Sequence, residues 1–329
     1  MKKKTVVLNS MRDVTLSLWP ASEDSKKPCF LICPGGAYRN CDESEGAPIA
    51  KAYNKRGYTA FILRYSVGKD SGWPNPLEDF EAAMEYLTAH QEELHICAAR
   101  VIAVGLSAGG HLAASSAKNR PYAVISCYGL AIRKTLAYCL PDAPDTSELV
   151  NETTCPVFLA SSRNDWIVPI ENTTKLIEAF EKHFVDYEAH IYGYGLHGFR
   201  LGAETGAAGP LFCARVGNWM DDSLGWVEEL TSGRYVSIRD CAEYQDAHAA
   251  VLSTRNSCRK IFANPRTGEL LQKKFPIQYL LYQAAKKQVG FFMDTVSLRN
   301  LFQLAKVSEK AISKIDDALG AFENVEECR

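Results

Sequence analysis

From the N-terminus to about Leu230, short runs of β-branched and aromatic residues alternate with stretches whose apolar side chains recur every three or four positions. This alternation predicts an α/β architecture, a mostly parallel sheet covered by helices on both faces. Eight runs have strand character, at residues 5–8, 13–19, 29–33, 58–63, 101–104, 123–127, 157–160 and 187–192. In the second, Val14, Leu16 and Leu18 alternate with polar neighbours, the period of a strand with one buried face. It follows the first closely enough to pair with it antiparallel. Leu77, Phe80, Met84 and Leu87 make one apolar helical face, and Leu176, Ile177, Phe180 and Phe184 make another. A last helix over about 218–230, carrying Trp219, Trp226, Val227 and Leu230, precedes the break at Thr231-Ser232-Gly233.

The pattern changes there, so residues 1–233 form one expected domain and 234–329 a small, mainly helical extension. Residues 259–263 and 269–273 flank Asn264-Pro265-Arg266-Thr267-Gly268, whose composition predicts a hairpin connection. Two helices follow, one through 278–287 and one with Ile312, Ile315, Leu319 and Phe322 on one side. The tail shows no internal repeat and no chemical motif. One reading makes it a docking element through which a homo-oligomer forms; the other makes it a packed appendage.

Composition narrows the function classes. Hydrophobic residues at 47% and charged residues at 23% are the balance of a soluble globular protein. A formal charge of -2 and the lack of basic blocks beyond Lys2 to Lys4 argue against a nucleic-acid partner. No apolar run approaches the roughly 20 residues that span a bilayer, and no signal peptide is recognisable, so a cytoplasmic protein with no membrane partner is expected. The 11 cysteines are scattered without CxxC pairs or His/Cys clusters, which suggests free thiols and no zinc site. Cys29, Cys33, Cys127 and Cys155 sit in or beside apolar runs, as small hydrophobes do.

The strongest chemical signal is Gly105-Leu106-Ser107-Ala108-Gly109, placed after a strand and before a helix that starts near Ala108. A serine at such a turn is held in a strained conformation, and the flanking glycines leave room for it. Its hydroxyl needs a base to become a nucleophile and a carboxylate to orient that base. Of the 7 histidines, His197 has the fitting context, a glycine-bracketed loop (Tyr194-Gly195-Leu196-His197-Gly198-Phe199) after a strand. His183 ends a helix, His190 lies inside a strand, His248 is in the tail, His111 reads as a packing or hydrogen-bonding residue, and His90 and His95 flank a helix terminus. Asp165 follows the strand at 157–160 and leaves room for one helix and one strand before His197. A lone Asp in a loop is often a helix cap, but Pro169 places the next helix start farther on. An oxyanion needs backbone donors: one from Ala108, the others from Gly36 and Ala37 in the loop Cys33-Pro34-Gly35-Gly36-Ala37-Tyr38.

Together with Glu45-Gly46-Ala47-Pro48-Ile49-Ala50, Gly57-Tyr58, Leu63-Arg64-Tyr65-Ser66, Asn164-Asp165, Val168-Pro169 and His197-Gly198-Phe199, these motifs resemble a known family. It is that of the acetyl esterase and xylan esterase-like α/β-hydrolases, related to hormone-sensitive lipase and dienelactone hydrolase. The resemblance runs from about Phe30 to Leu230. It implies the α/β-hydrolase fold, the triad Ser107, Asp165 and His197, and an oxyanion hole from Gly36, Ala37 and Ala108. It further implies cleavage of short-chain acyl esters of sugars or other small alcohols; no cofactor or metal is expected, because nucleophile, base and oxyanion donors are all protein groups and the sequence has no ligand cluster. Two departures stand out: Pro34-Gly35-Gly36-Ala37 replaces the His-Gly-Gly-Gly of many relatives, and Ser44 replaces an arginine before Glu-Gly. The short stretch 129–154, where relatives often insert a lid, favours small esters. The competing readings are a prolyl oligopeptidase-like serine peptidase, which would normally carry a propeller, and a hydrolase-fold binding protein, which usually lacks a triad member.

Overall fold

The computed structural model describes residues 4–21, 24, 26–117, 121–202, 214–290 and 292–324. The chain divides into two compact units, Met1–Tyr235 and Val236–Arg329.

Unit 1 holds eight strands: β1 (Lys4–Asn9), β2 (Val14–Trp19), β3 (Cys29–Cys33), β4 (Ala60–Arg64), β5 (Val101–Leu106), β6 (Ala123–Cys127), β7 (Val157–Ser162) and β8 (Tyr187–Tyr192). They form one sheet in the order β1-β2-β4-β3-β5-β6-β7-β8. β1 pairs antiparallel with β2, and β2 with β4; every other pairing is parallel. Each run expected from the sequence forms a strand. β5 and β7 extend two residues beyond the expected ends, to Leu106 and Ser162, which brings the sheet edge up to the loops that carry Ser107 and Asp165.

The helices of unit 1 are α1 (Glu43–Lys55), α2 (Asn75–Ala89), α3 (Gln91–Leu94), α4 (Ala108–Ser115), α5 (Arg133–Leu136), α6 (Thr146–Leu149), α7 (Glu171–Lys182) and α8 (Trp219–Thr231). The central strands are buried on both faces, so they read as unbroken apolar runs. Successive residues point to opposite sides. Leu31 and Ala103 pack in a core with Met84 of α2, Leu112 of α4 and Phe180 of α7. Phe30 and Ile102 pack in a second core with Tyr53 of α1 and Trp219 and Val227 of α8. β2 is covered on one face only, with Val14, Leu16 and Leu18 buried and Thr15 and Ser17 partly exposed.

Unit 2 is helical: α9 (Ala242–His248), α10 (Cys258–Ala263), α11 (Pro265–Lys274), α12 (Pro276–Val289), α13 (Phe292–Thr295), α14 (Leu298–Leu304) and α15 (Glu309–Leu319). The expected hairpin around 264–268 is therefore wrong. Asn264 caps α11, its side chain accepting from the Arg266 amide at 3.0 Å, and Pro265 takes the first helical position, where it has no hydrogen bond to lose. Ile261 and Leu271, assigned to strands from sequence, are buried on helices instead.

An internal repeat also exists that the sequence reading missed. Ser-x-Arg-x-(Ile/Leu)-Phe occurs at 257–262 and again at 297–302. Ser257 caps α10 through the Lys260 amide (3.0 Å) and Ser297 caps α14 through the Asn300 amide (3.1 Å). The two serines face each other in an antiparallel bridge. Cys258, Ile261, Leu298 and Phe302 then meet Ile312, Ile315 and Leu319 in the core of this unit.

Candidate active site

The chain turns from β5 into α4 at Ser107, whose φ of 53 lies in the left-handed region. For a residue with a side chain this conformation costs about 1–3 kcal/mol and needs support from its surroundings. Three backbone bonds supply it: the Ser107 amide donates to Cys127 O (3.0 Å), while its carbonyl accepts from His111 (3.2 Å) and Leu130 (3.3 Å). The turn admits no bulk around it. A Cβ on Gly105 would lie 2.1 Å from Gly109 O, and one on Gly109 would lie 1.9 Å from Cys33 O.

Ser107 Oγ lies 2.9 Å from His197 Nε2, and His197 Nδ1 lies 2.7 Å from Asp165 Oδ2. Asp165 is 6% exposed, so its carboxylate depends on protein donors. Its Oδ1 accepts from the amides of Ile167 (2.9 Å) and Val168 (2.8 Å). With Nδ1–H donated to Asp165, Nε2 is left as the acceptor facing the serine hydroxyl. An imidazole so placed can take the hydroxyl proton and return it to a leaving group. The histidine loop is anchored in turn by Asn164, whose Oδ1 accepts from Gly195 N and Leu196 N, each at 3.0 Å, and from the Ser162 hydroxyl at 2.6 Å.

The loop after β3 turns through three consecutive positive φ values, at Gly36, Ala37 and Tyr38. It is tied at several points: Tyr65 OH donates to Pro34 O (2.6 Å), Gly35 N to Glu45 Oε2 (2.8 Å), and Tyr38 OH to His111 Nδ1 (2.7 Å). Gly36 and Ala37 border the same cavity as Ser107 and His197, about 630 Å³ in volume. Ala108 opens α4 directly after Ser107; the first amides of a helix have no intrahelical acceptor. The lining combines the charged Arg39, Asp42 and Arg200 with the apolar Leu130, Ile167 and Val168. Arg200 pairs with Asp42 at 3.2 Å.

Two buried titratable groups flank the site. Burial raises the pKa of Glu45, a tendency partly opposed by its bonds to Gly35 and Tyr128. Burial also lowers His111 from 6.5 to about 4, so it is a neutral hydrogen-bonding partner. The other histidines stand elsewhere: His183 ends α7, His190 pairs with Glu188 on β8, His90 stacks on Tyr86, His95 ends α3, and His248 ends α9. Thus Ser107, Asp165 and His197 are brought together, with Gly36 and Ala37 bordering the same cavity and Ala108 next to Ser107 in the chain. Glu45, Asn164 and Tyr128 carry no assigned role in the sequence reading. The available signal for Glu45 was an acidic residue at a core-facing position of α1, and for Asn164 an amide just before the Asp.

Among the described residues no cluster of three or more His, Cys, Asp or Glu side chains could hold a metal ion. No helix among them is long and apolar enough to cross a membrane.

The BD-FAE family model matches residues 17–123. The crystal structure of MGS-M1, an alpha/beta hydrolase enzyme from a Medee basin deep-sea metagenome library, is 33% identical, with a TM-score of 0.65 over 70% of this chain and 98% of that one. The chain belongs to the α/β-hydrolase family. A further likeness is to an acetyl ester-xyloside bifunctional hydrolase from Caldicellulosiruptor lactoaceticus, 26% identical over 69% of this chain and 96% of that chain, with a TM-score of 0.60. Endo-1,4-beta-xylanase B of Butyrivibrio fibrisolvens is 26% identical over 215 residues, 55% of this chain. The match spans about a third (34%) of that curated relative's length.

Proposed function

We propose that this α/β-hydrolase cleaves carboxylic esters by way of an acyl-enzyme on Ser107. The observation that carries the reading is the hydrogen-bonded line from Ser107 Oγ through His197 (2.9 Å) to Asp165 (2.7 Å), ending at a cavity open to a small molecule. In acylation His197 Nε2 takes the serine proton as Oγ adds to the ester carbonyl. The amides of Gly36, Ala37 and Ala108 bind the negative oxygen of the tetrahedral intermediate. Collapse expels the alcohol, which receives the proton from the imidazolium. Water then repeats the sequence on the acyl-enzyme and regenerates Ser107. Asp165 keeps the ring in the required tautomer and stabilises its charged form.

Short acyl esters of sugars or other small alcohols are the substrates we favour. Supporting this are the relatives named for acetyl ester and xylan hydrolysis, the charged residues in the cavity lining, and the short 129–154 stretch, which contributes Leu130, Thr135 and Tyr138 to the lining. The test has two parts. A fluorophosphonate should label wild-type protein and leave Ser107→Ala unlabelled. Acetyl to butyryl p-nitrophenyl esters should be cleaved with higher kcat/KM than octanoyl or decanoyl esters. Unlabelled wild-type protein would end the nucleophile assignment, and a preference for decanoyl esters would end the substrate reading.

A further inference from the structure

Glu45 is 3% exposed, yet the mechanism above gives it no part. It sits in the first turn of α1 and uses both carboxylate oxygens: Oε2 accepts from Gly35 N at 2.8 Å, and Oε1 accepts from Tyr128 OH at 2.9 Å. The Gly35 peptides are therefore held on both sides, because Gly35 O accepts from Asp42 N at 2.8 Å. The fit is tight. A Cβ on Gly35 would lie 2.6 Å from Glu45 Oε2 and 2.8 Å from Ser107 Cβ, so carboxylate, loop and serine crowd one point. Tyr128, bonded to the other oxygen, sets its ring edge-on to His197 at 5.2 Å between centroids. It too holds a positive φ, at 39.

We infer that Glu45 is a positioning residue: it fixes the peptides that present the Gly36 and Ala37 amides and ties them, through Tyr128, to the ring of His197. The inference rests on the ester-hydrolase reading. A buried carboxylate with two donors is costly to bring out of water, and a helix start could be built without it. Its position at the one segment that must aim two amides at a point in space gives that cost a purpose. Oxyanion donors act only when aimed at the transition-state oxygen, so a loosened loop lowers kcat while leaving substrate binding nearly intact.

Glutamine keeps both bonds, since its oxygen can accept from Gly35 and its amide can donate to the Tyr128 oxygen. Glu45→Ala keeps neither. With p-nitrophenyl acetate, Glu45→Ala should lower kcat on the order of 100-fold, the size of a lost oxyanion donor, with KM within about threefold. Fluorophosphonate inactivation should slow in parallel, because it also develops charge on an oxygen in that site. Glu45→Gln should stay within about threefold of wild type, and Tyr128→Phe, which keeps the ring but not the hydroxyl, should fall between the two. A role confined to stability would lower Tm and spare kcat. Near-normal kcat in Glu45→Ala, a Glu45→Gln as slow as Glu45→Ala, or unchanged kcat in Tyr128→Phe would each overturn the inference. Should Glu45→Ala not fold, a Glu45→Gln slowed well beyond about threefold relative to wild type, or unchanged kcat in Tyr128→Phe, remains decisive. Failure of the ester-hydrolase reading itself is seen separately, as a wild-type protein that neither cleaves the ester nor labels.

Discussion

The two units of this chain differ in where they hold unfavourable backbone. Among the described residues, non-glycine positive φ values occur at nine positions in unit 1 and, in unit 2, at Lys306 alone. Ala37, Tyr38, Ser107, Tyr128 and Leu196 belong to the loops that surround the Ser107 hydroxyl or lead into His197. Unit 2 is built from regular, side-chain-capped helices, with Ser257, Asn264, Ser297 and Ser308 each accepting from an amide in the first turn. Strain therefore gathers where donors and acceptors converge on one point, whereas the described helical core of unit 2 largely avoids it.

Substitutions at Ser107 test this contrast most strongly. Ser107→Ala should lower kcat by about 10⁵-fold or more, because serine and imidazole act as one unit. Ser107→Gly should be equally inactive yet more stable by about 1 kcal/mol, since glycine accepts positive φ without strain. A denaturation series on both variants checks this, and a glycine variant less stable than the alanine one would break the link between strain and site.

The complementary perturbation is Phe302→Ala, which empties a fully buried position of unit 2. It should destabilise that unit by about 3–5 kcal/mol, with kcat/KM towards p-nitrophenyl acetate unchanged while unit 1 stays folded. Every residue assigned to the site precedes Tyr235, so we expect truncation after Gly233 to leave the same activity. Loss of activity in a folded truncation would give unit 2 a share in the site.

A third prediction concerns His111, buried beside the loop that follows β3 and bonded to its Tyr38. Its folded pKa of about 4 lies below the unfolded value of 6.5, so between these pH values the unfolded chain binds the extra proton. Stability contributed by this residue is complete above pH 6.5 and falls on acidification towards pH 4, by up to about 1.4 kcal/mol per pH unit. His111→Gln should flatten Tm against pH across that window relative to wild type. A variant with the wild-type slope would place the titration elsewhere. The smallest effect belongs to the regular unit: Asn264→Ala removes one cap and should cost about 1 kcal/mol without touching kcat.

What the sequence revealed follows the same division. Strands buried on both faces, such as Phe30 to Cys33, announce themselves as apolar runs, and β2 by its alternation of Val14, Leu16 and Leu18. Ser107 was legible because a strand-to-helix turn with glycines on both sides has few other uses. Glu45 and Asn164 were not, because nothing local says which polar side chain will meet a buried amide from a segment far along the chain. The false hairpin at Asn264-Pro265 has a different cause: Asn, Pro and Gly serve turns and helix starts alike, and only neighbouring packing separates the two. The repeat at Ser257 and Ser297 escaped because its two copies share a serine, an arginine, a phenylalanine and one aliphatic position over six residues.

The strand order has a consequence for when the protein becomes competent during synthesis. β3 and β5 are neighbours in the sheet, yet β4 and α2 lie between them in the chain, and the Ser107 line closes only once Asp165 and His197 have joined it. Unit 2 follows unit 1 in the chain, and its capped helices are held turn by turn through contacts local in sequence, which form fastest, before the Ser257–Ser297 bridge and the shared core join them. Upon dilution from denaturant, helical signal from the last part of the chain should therefore run ahead of recovered hydrolysis, and the rate of regaining activity should track sheet closure.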